Sequence, residues 1–447
     1  MSEEKLPKGW VKVSLGDAFK IERGGSPRPI QDYLTDRNDG INWIKIGDTS
    51  IESKYITFAK EKIIPEGAQK SRMVYEGDFL LSNSMSFGRP YISKISGCIH
   101  DGWLVIRKND KVENDYLYYV LKSPLCYNQF SSLAKGSTVK NLNIQAVQKV
   151  IIPLPPFPDQ QRIVAKLDMV FGHLDRVREK LDRIPELLKN FRQQVLTQAV
   201  TGELTREWRE GKDLGEWEET TVGDLFEVKT GGTPRRGVKE YYEGGTIPWV
   251  KSGLVKNELI FEADEFITEL AIKDSNVKIF PIDTLLVAMY GEGKTRGQVG
   301  WLKIEATTNQ AIAALVNETM PINTRTYVFY YCLSQYNDIR AKAEGGNQPN
   351  LNLSKIKEWE ISVPPKEEQK EIVSRIDSLF NIAEKIESQY QSLKAKIDQM
   401  PQAILAKAFR GELVAQEVKE YVREIGELGM VAEGMEEYQN SPHLKSE

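Results

Sequence analysis

The feature that most constrains this chain is that it is written twice. Leu15-Gly16-Asp17 returns as Val222-Gly223-Asp224, and Gly24-Gly25-Ser26-Pro27-Arg28 returns as Gly231-Gly232-Thr233-Pro234-Arg235, both 207 residues on. Trp43-Ile44-Lys45 matches Trp249-Val250-Lys251 at a shift of 206, and Asp78-Phe79-Leu80-Leu81 matches Asp283-Thr284-Leu285-Leu286 at 205. Asn141-Leu142-Asn143 then matches Asn350-Leu351-Asn352 at 209. From there the shift no longer moves: Pro155-Pro156, Gln160, Ile163-Val164, Asp168, Phe171 and Gly202-Glu203-Leu204 all recur 209 residues later. Each unit therefore has a first part that tolerates small insertions and a second part whose length is held. An internal repeat of this kind fixes the architecture before any element is assigned.

The fixed part has a helical period. Ile163, Leu167, Val170, Leu174, Val177, Leu181, Ile184, Leu188, Phe191 and Val195 alternate steps of four and three. Ile372, Ile376, Leu379, Ala383, Ile386, Tyr390, Leu393, Ile397, Met400 and Ile404 repeat the pattern. Charged residues fill the positions between, as in a coiled-coil seam. The Pro-Pro pairs open these helices, and Gly202 and Gly411 suit their C-terminal caps. Pro185 and Pro401 sit at non-equivalent places inside them and predict a kink or break at each. The narrow one-sided seam is better explained by the two helices packing on each other than on their own domains.

The variable parts read as mixed α/β domains, with strands at 41–46 and 78–82 and their counterparts at 246–250 and 283–289. Aromatic-rich helical segments follow at 115–129 and 326–339. The expected organisation is a first globular domain at 1–158, a central helix at 159–210, a second globular domain at 211–365, a second helix at 366–413 and a tail at 414–447. The fold class is α/β (mixed α+β), with the two domains separated by long coiled-coil helices.

The net charge of −4 excludes a simple basic nucleic-acid binder. The charge is unevenly spread, with +5 on residues 1–158 and −5 on each of 211–365 and 414–447. A DNA ligand would need local patches or a partner supplying phosphate contacts. Three Gly-rich loops per copy offer such patches. In the first domain the candidates for DNA contact are Arg23, Ser26 and Arg28, Lys45, then Ser84, Ser86 and Arg89, then Lys135, Thr138 and Lys140. In the second they are Thr233, Arg235 and Arg236, Lys251, then Tyr290, Lys294, Thr295 and Arg296, then Asn347 and Gln348. Glycine lets a backbone approach phosphate closely. Arg, Asn and Gln can read purine edges bidentately, whereas Lys, Ser and Thr mostly position on phosphate.

Catalytic signatures are missing. Gly293-Lys294-Thr295 lacks the glycine a phosphate loop requires, since that position is Ala288. Leu154-Pro155-Pro156-Phe157 has leucine where an amino-methyltransferase needs an amide or acid. Only three histidines and three cysteines (Cys98, Cys126, Cys332) occur, with no metal or disulfide spacing, so no metal and no catalytic residue is assigned. The polar start and the short apolar runs predict a chain of the reducing cytoplasm, without a membrane span.

With these residues in place the chain resembles the specificity subunits of type I restriction–modification systems. The blocks carrying the resemblance are Leu6-Pro7-x-Gly9-Trp10, 83–92 (NSMSFGRPYI), Ile152-Pro153-Leu154-Pro155-Pro156, 160–171, 193–204 and 403–413. The resemblance covers the chain to about residue 413. It implies a non-catalytic subunit, in which each recognition domain reads half of a split site in double-stranded DNA. An antiparallel helix pair would set the gap and dock two modification subunits. S-adenosylmethionine would belong to those subunits, and ATP and Mg to restriction subunits, with no cofactor in this chain. The first seam, 33 residues long, spans about 50 Å, or roughly 15 base pairs, a scale that suits two half-sites on one duplex. The alternatives are a protein-interaction scaffold with a coiled-coil spacer and a self-contained methyltransferase or nuclease. The Gly202–Arg209 segment after the first helix differs from the acidic tail after the second.

Overall fold

In the computed structural model the described residues are 6–413, apart from 52, 84–87, 135–140, 291–294 and 338–350, together with Arg423 and Gly426. The chain divides into two compact units, and neither is a contiguous copy of the repeat. The first unit is Met1–Arg183 with Tyr390–Met435, and the second is Ile184–Gln389 with Glu436–Glu447. Five helices matter below: α1 (Asn114–Lys122), α2 (Phe157–Leu181), α3 (Ile184–Val200), α4 (Ile322–Ser334) and α5 (Lys366–Arg410). The first unit takes α1, α2 and the last part of α5. The second takes α3, α4 and the first part of α5.

The two units have the same sheets. In the first, a five-stranded sheet runs Ile21–Arg23, Trp103–Ile106, Phe79–Ser82, Pro90–Ser93, Tyr55–Ile56. A four-stranded sheet runs Glu61–Ile63, Ile41–Ile44, Gly97–Ile99, Arg72–Val74. A two-stranded ribbon joins Val11–Ser14 to Ile151–Leu154, just before α2. The second unit repeats each order: Glu227–Thr230, Ile312–Val316, Leu285–Ala288, Val299–Leu302, Glu258–Ile260, then Glu265–Ile267, Ile247–Val250, Ala306–Thr308, Ile279–Phe280. Its ribbon joins Glu218–Thr221 to Glu360–Val363. The register is conserved too: Trp43 pairs Cys98 and Trp249 pairs Thr307, both in parallel ladders. Both tryptophans are buried, each at the heart of a small apolar cluster.

The matched sequence blocks have physical reasons. Asn143 and Asn352 cap short helices, each side chain accepting a backbone N–H at 2.8 Å. Leu142 and Leu351 between the paired asparagines are buried. Gly202 and Gly411 adopt φ of 78° and 79°, a left-handed conformation that ends each long helix at glycine. Gln160 donates to the Pro155 carbonyl at 2.9 Å, as Gln369 does to Pro364 at 2.7 Å. Their Oε1 atoms accept from the Glu113 N–H (2.8 Å) and the Thr324 hydroxyl (2.6 Å). Tyr119 donates to Asp168 and stacks near Phe171; Tyr330 does the same with Asp377 and Phe380. In each copy, then, Gln, Asp and Phe bolt the aromatic helix onto the long helix that follows it. This clamp explains why the shift of 209 does not drift across these residues.

The seam is antiparallel within each unit. In the first, Lys166 Nζ reaches the Leu413 carbonyl at 3.1 Å, Arg178 reaches the Ile397 carbonyl at 3.3 Å, and Lys394 reaches Asp182 at 3.2 Å. In the second, Arg192 pairs Glu387 at 2.8 Å and Arg375 donates to the Leu204 carbonyl at 2.9 Å. The partner number falls as the other rises, the mark of opposed helices. Ile163, Leu167, Val170, Leu174, Val177, Leu181, Ile372, Ile376 and Ile397 are buried, whereas Leu379, Ile386 and Leu393 are half-buried. Of the two prolines, only Pro185 accompanies a break. The helix breaks between Leu181 and Ile184, beside Pro185, but α5 runs uninterrupted through Pro401.

The matched aspartates, buried Asp78 and half-buried Asp283, both anchor ion pairs. Arg107 links Asp78 (2.6 Å) and Glu22 (2.7 Å) in the first unit, while Lys303 (2.8 Å) and the Trp301 indole (2.9 Å) hold Asp283 in the second. Burial acts to raise the Glu22 carboxyl, but the hydrogen bond and charge of Arg107, with Lys20 and Arg72 beside it, hold it below its ordinary value of 4.5. Such a group stabilises the fold above the unfolded value and stops doing so as pH falls through the depressed folded one. The first unit should therefore lose stability in denaturant melts as pH drops below about 4.5. Glu22→Gln should flatten that acid limb; an unchanged limb would contradict this assignment.

Candidate nucleic-acid interface

The loop after the first strand of each five-stranded sheet is built by its glycines. Gly24 and Gly25 donate to the Trp103 and Ile99 carbonyls at 3.0 and 3.1 Å, which lays the loop flat over the neighbouring strand ends. A Cβ on Gly24 would stand 2.2 Å from the His100 carbonyl oxygen, and one on Gly231 would stand 2.0 Å from that of Thr308. The paired Gly-Gly match is thus a requirement of close backbone approach.

In the first unit this loop converges on Asp101. The Ser26 hydroxyl donates to Asp101 Oδ1 at 2.8 Å, Arg23 Nε donates to the Asp101 carbonyl at 3.2 Å, and His100 Nε2 lies 3.0 Å from Oδ1. Arg28 reaches Oδ2 at 3.8 Å with its side chain 83% exposed. Partial burial acts to raise the Asp101 carboxyl, but Ser26, His100 and Arg23 outweigh it and hold the group below the usual aspartate range. Arg23, Ser26 and Arg28 therefore form one cluster, with Arg28 at its outer edge.

The second unit keeps the frame and changes the chemistry. Thr233, in the place of Ser26, donates to the Gln310 side chain, and Gln310 follows Asp101 by the familiar 209 residues. Arg236 lies over the rings of Trp249 (4.7 Å) and Tyr242 (4.9 Å) and pairs with Glu265 at 2.8 Å. Glu265 also accepts from Lys251; that bond is the chief reason its carboxyl stays low, with Arg236 adding to it. Arg235 is exposed beside this cluster.

Two of the candidate cations have acidic partners. Lys45 is tied to Glu61 and Lys251 to Glu265, the same pair at the same strand in both copies. A lysine so neutralised is a poor first partner for phosphate. Sequence reading missed the acid because Glu61 and Glu265 lie on a neighbouring strand at a shift of 204, outside the matched blocks. Asp101 and Gln310 were missed as well, although their constant shift was a usable signal. Arg89 is half-buried on a cleft of about 330 Å³ beside Tyr91, Tyr118, Lys122 and Tyr127. Tyr290 is exposed, and Thr295 and Arg296 are half-buried. Ser84, Ser86, Lys135, Thr138, Lys140, Lys294, Asn347 and Gln348 lie outside the described residues. Among the described residues, no group of three or more His, Cys, Asp or Glu is placed to hold a metal.

The family described as "Type I restriction modification DNA specificity domain" matches this chain twice, at residues 7–186 and 215–395. The chain belongs to that family. Among named relatives, the type I restriction enzyme EcoKI specificity subunit of Escherichia coli (strain K12) is 28% identical over 93% of this chain and 92% of its own length. The StySPI specificity subunit of Salmonella potsdam is 25% identical, again over 93% and 92%. The MjaIX specificity subunit of Methanocaldococcus jannaschii is 27% identical over 93% and 96%. The fold is shared with the HsdS subunit from Thermoanaerobacter tengcongensis (TM-score 0.59, 20% identity, 92% of this chain and 99% of that one). A chain from a study of complex assembly and conformational transition of the type I R-M system agrees further (TM-score 0.64, 21% identity, 92% and 100%).

As a specificity subunit, the chain is a recognition component and not the enzyme of its system. The family boundaries also bear on the duplicated frame. Each match runs through one set of sheets and into the long helix after it, ending near the point where the compact units divide.

Proposed function

We propose that this subunit reads a bipartite, gapped site in double-stranded DNA, one half with each globular domain. The observation that carries the proposal is one sheet frame presented twice with different polar groups at the same loop position. Ser26 with Asp101 stands where Thr233 with Gln310 stands in the other copy. A carboxylate accepts from base amino groups, whereas a side-chain amide both donates and accepts, so the two positions suit different bases. Exposed Arg28 and Arg235 supply positive charge beside each.

In this reading the helices α2, α3 and α5 set the gap and form the frame on which two modification subunits dock. Those subunits would carry S-adenosylmethionine for adenine methylation, and restriction subunits would bring ATP and Mg. The weak overall charge of −4 supports the idea that partners share the phosphate contacts. We place the assembly in the cytoplasm. Cys98, Cys126 and Cys332 are free and buried, and burial pushes the Cys126 and Cys332 thiols up to about 12. Among the described residues no helix is long and apolar enough to cross a membrane.

Methylome sequencing of a host that lacks and then regains the gene, with its modification partner present, tests the function. A gapped adenine motif should appear with the gene. If no modified motif follows it, the reading fails.

A further inference from the structure

The two units differ on the outer face of their two-stranded ribbons. In the first unit this face forms one wall of an open groove of about 590 Å³. Ile151 and Pro153 of the ribbon, Leu125 beside them, and Phe409 of α5 give it an apolar floor, with Lys12 and Arg410 at its edges. Ile151 and Leu125, on adjoining elements, are 40% and 39% exposed. The corresponding ribbon positions of the second unit are Glu219, Glu360 and Ser362, and Ser362 donates to Glu219 at 2.6 Å. One face is apolar and basic; its counterpart is polar and acidic. The fold therefore does not require the apolar character, which leaves this face suited to an occupant.

The chain itself holds a suitable occupant. α5, whose Ala406, Phe409 and Arg410 form the second wall, ends three residues before Leu413, where the 414–447 segment begins. That segment has a net charge of −5, opposite in sign to the groove edges. Its apolar residues Val414, Val418, Tyr421, Val422, Ile425 and Leu428 fall at positions 0, 4, 7, 8, 11 and 14 of a helical period, with glutamates between them. Such a pattern presents one apolar face of a helix, and Arg423 and Gly426 within it are helical. Tethering at Leu413 puts this face at millimolar effective concentration over the groove, so modest affinity suffices. A groove of this volume takes a few aliphatic side chains.

We propose that the acidic amphipathic segment 414–428 docks intramolecularly into this groove of the first unit and shields it. The second unit, with Glu219 and Glu360 on the same face, repels the segment, so docking is specific to one unit. This inference is independent of which DNA sequence the subunit reads.

Hydrogen exchange of the full chain and of a chain ending after Leu413 tests it. The Ile151 N–H donates to Gln129 Oε1 at 2.8 Å on the groove wall and is a local reporter. Truncation should speed exchange across 124–130 and 149–153 by about tenfold or more, and a synthetic 414–432 peptide should restore protection. A second arm uses Leu125→Cys with Tyr421→Cys in the full chain, the native cysteines being buried. Mild oxidation should give a cross-link within one chain. Cross-links only between chains would make a second copy the occupant and overturn the proposal. Exchange unchanged by truncation and by peptide would overturn it too.

Discussion

Glu368→Ala should lower the stability of the second unit by about 1–3 kcal/mol. Glu368 is a fully buried acidic residue. Its carboxylate accepts from the Thr205 hydroxyl at 2.8 Å and the Trp217 indole at 2.9 Å, and it pairs with Arg209. Alanine would leave that guanidinium without its partner and two donors without an acceptor, which costs far more than the pair itself is worth. Glu368→Gln keeps one acceptor oxygen, for the Thr205 hydroxyl or for the Trp217 indole but not for both, and should cost less. Urea melts of both variants check the order; equal losses would mean the charge pairing does not matter. The contact also accounts for the Gly202–Arg209 departure between the two copies. Residues after the first helix fold back onto the start of α5, using a glutamate where the first copy has Asp159.

Gly231→Ala should cost a similar share of stability and silence one recognition surface. A Cβ there would meet the Thr308 carbonyl oxygen at 2.0 Å and its hydroxyl at 2.2 Å. The first of these is backbone in a central strand, so the loop must move instead. Overpacking of this kind costs about 1–3 kcal/mol, sometimes more. The displaced loop carries Thr233, Arg235 and Arg236, so binding that depends on the second half-site should fall by at least an order of magnitude. Gly24→Ala should do the same to the first half-site alone. Binding of the assembled modification complex to duplexes with one half-site scrambled separates the two. Loss of both halves from either variant would contradict the assignment of one surface per domain.

Much of the frame was legible in the sequence because it rests on periodicity and on glycine. The seam residues from Ile163 to Leu181 are buried as the four-three spacing requires, and opposed side-chain contacts hold the helices together. What periodicity could not supply was the exchange of helix segments, whereby each compact unit takes part of α5. That depends on chain reversal, which no local pattern encodes. Pro401 does not break α5, which continues through it. The candidate site was harder. Arg28 and Arg235 are exposed as a contact residue must be, whereas Lys45 and Lys251 are paired with glutamates that the spacing did not show. Their glutamates come from another strand, and long-range ion pairs leave no trace in spacing. Asp101 and Gln310 lacked any motif, and only their common shift marked them.

The central claim is that recognition is divided between the two globular domains. Replacing residues 1–158 by the same region of another specificity subunit, and sequencing the methylated motif of the resulting complex, tests it most directly. One half of the motif should change to the donor's sequence while the other half and the gap stay fixed. A change in both halves, or in neither, would contradict the account.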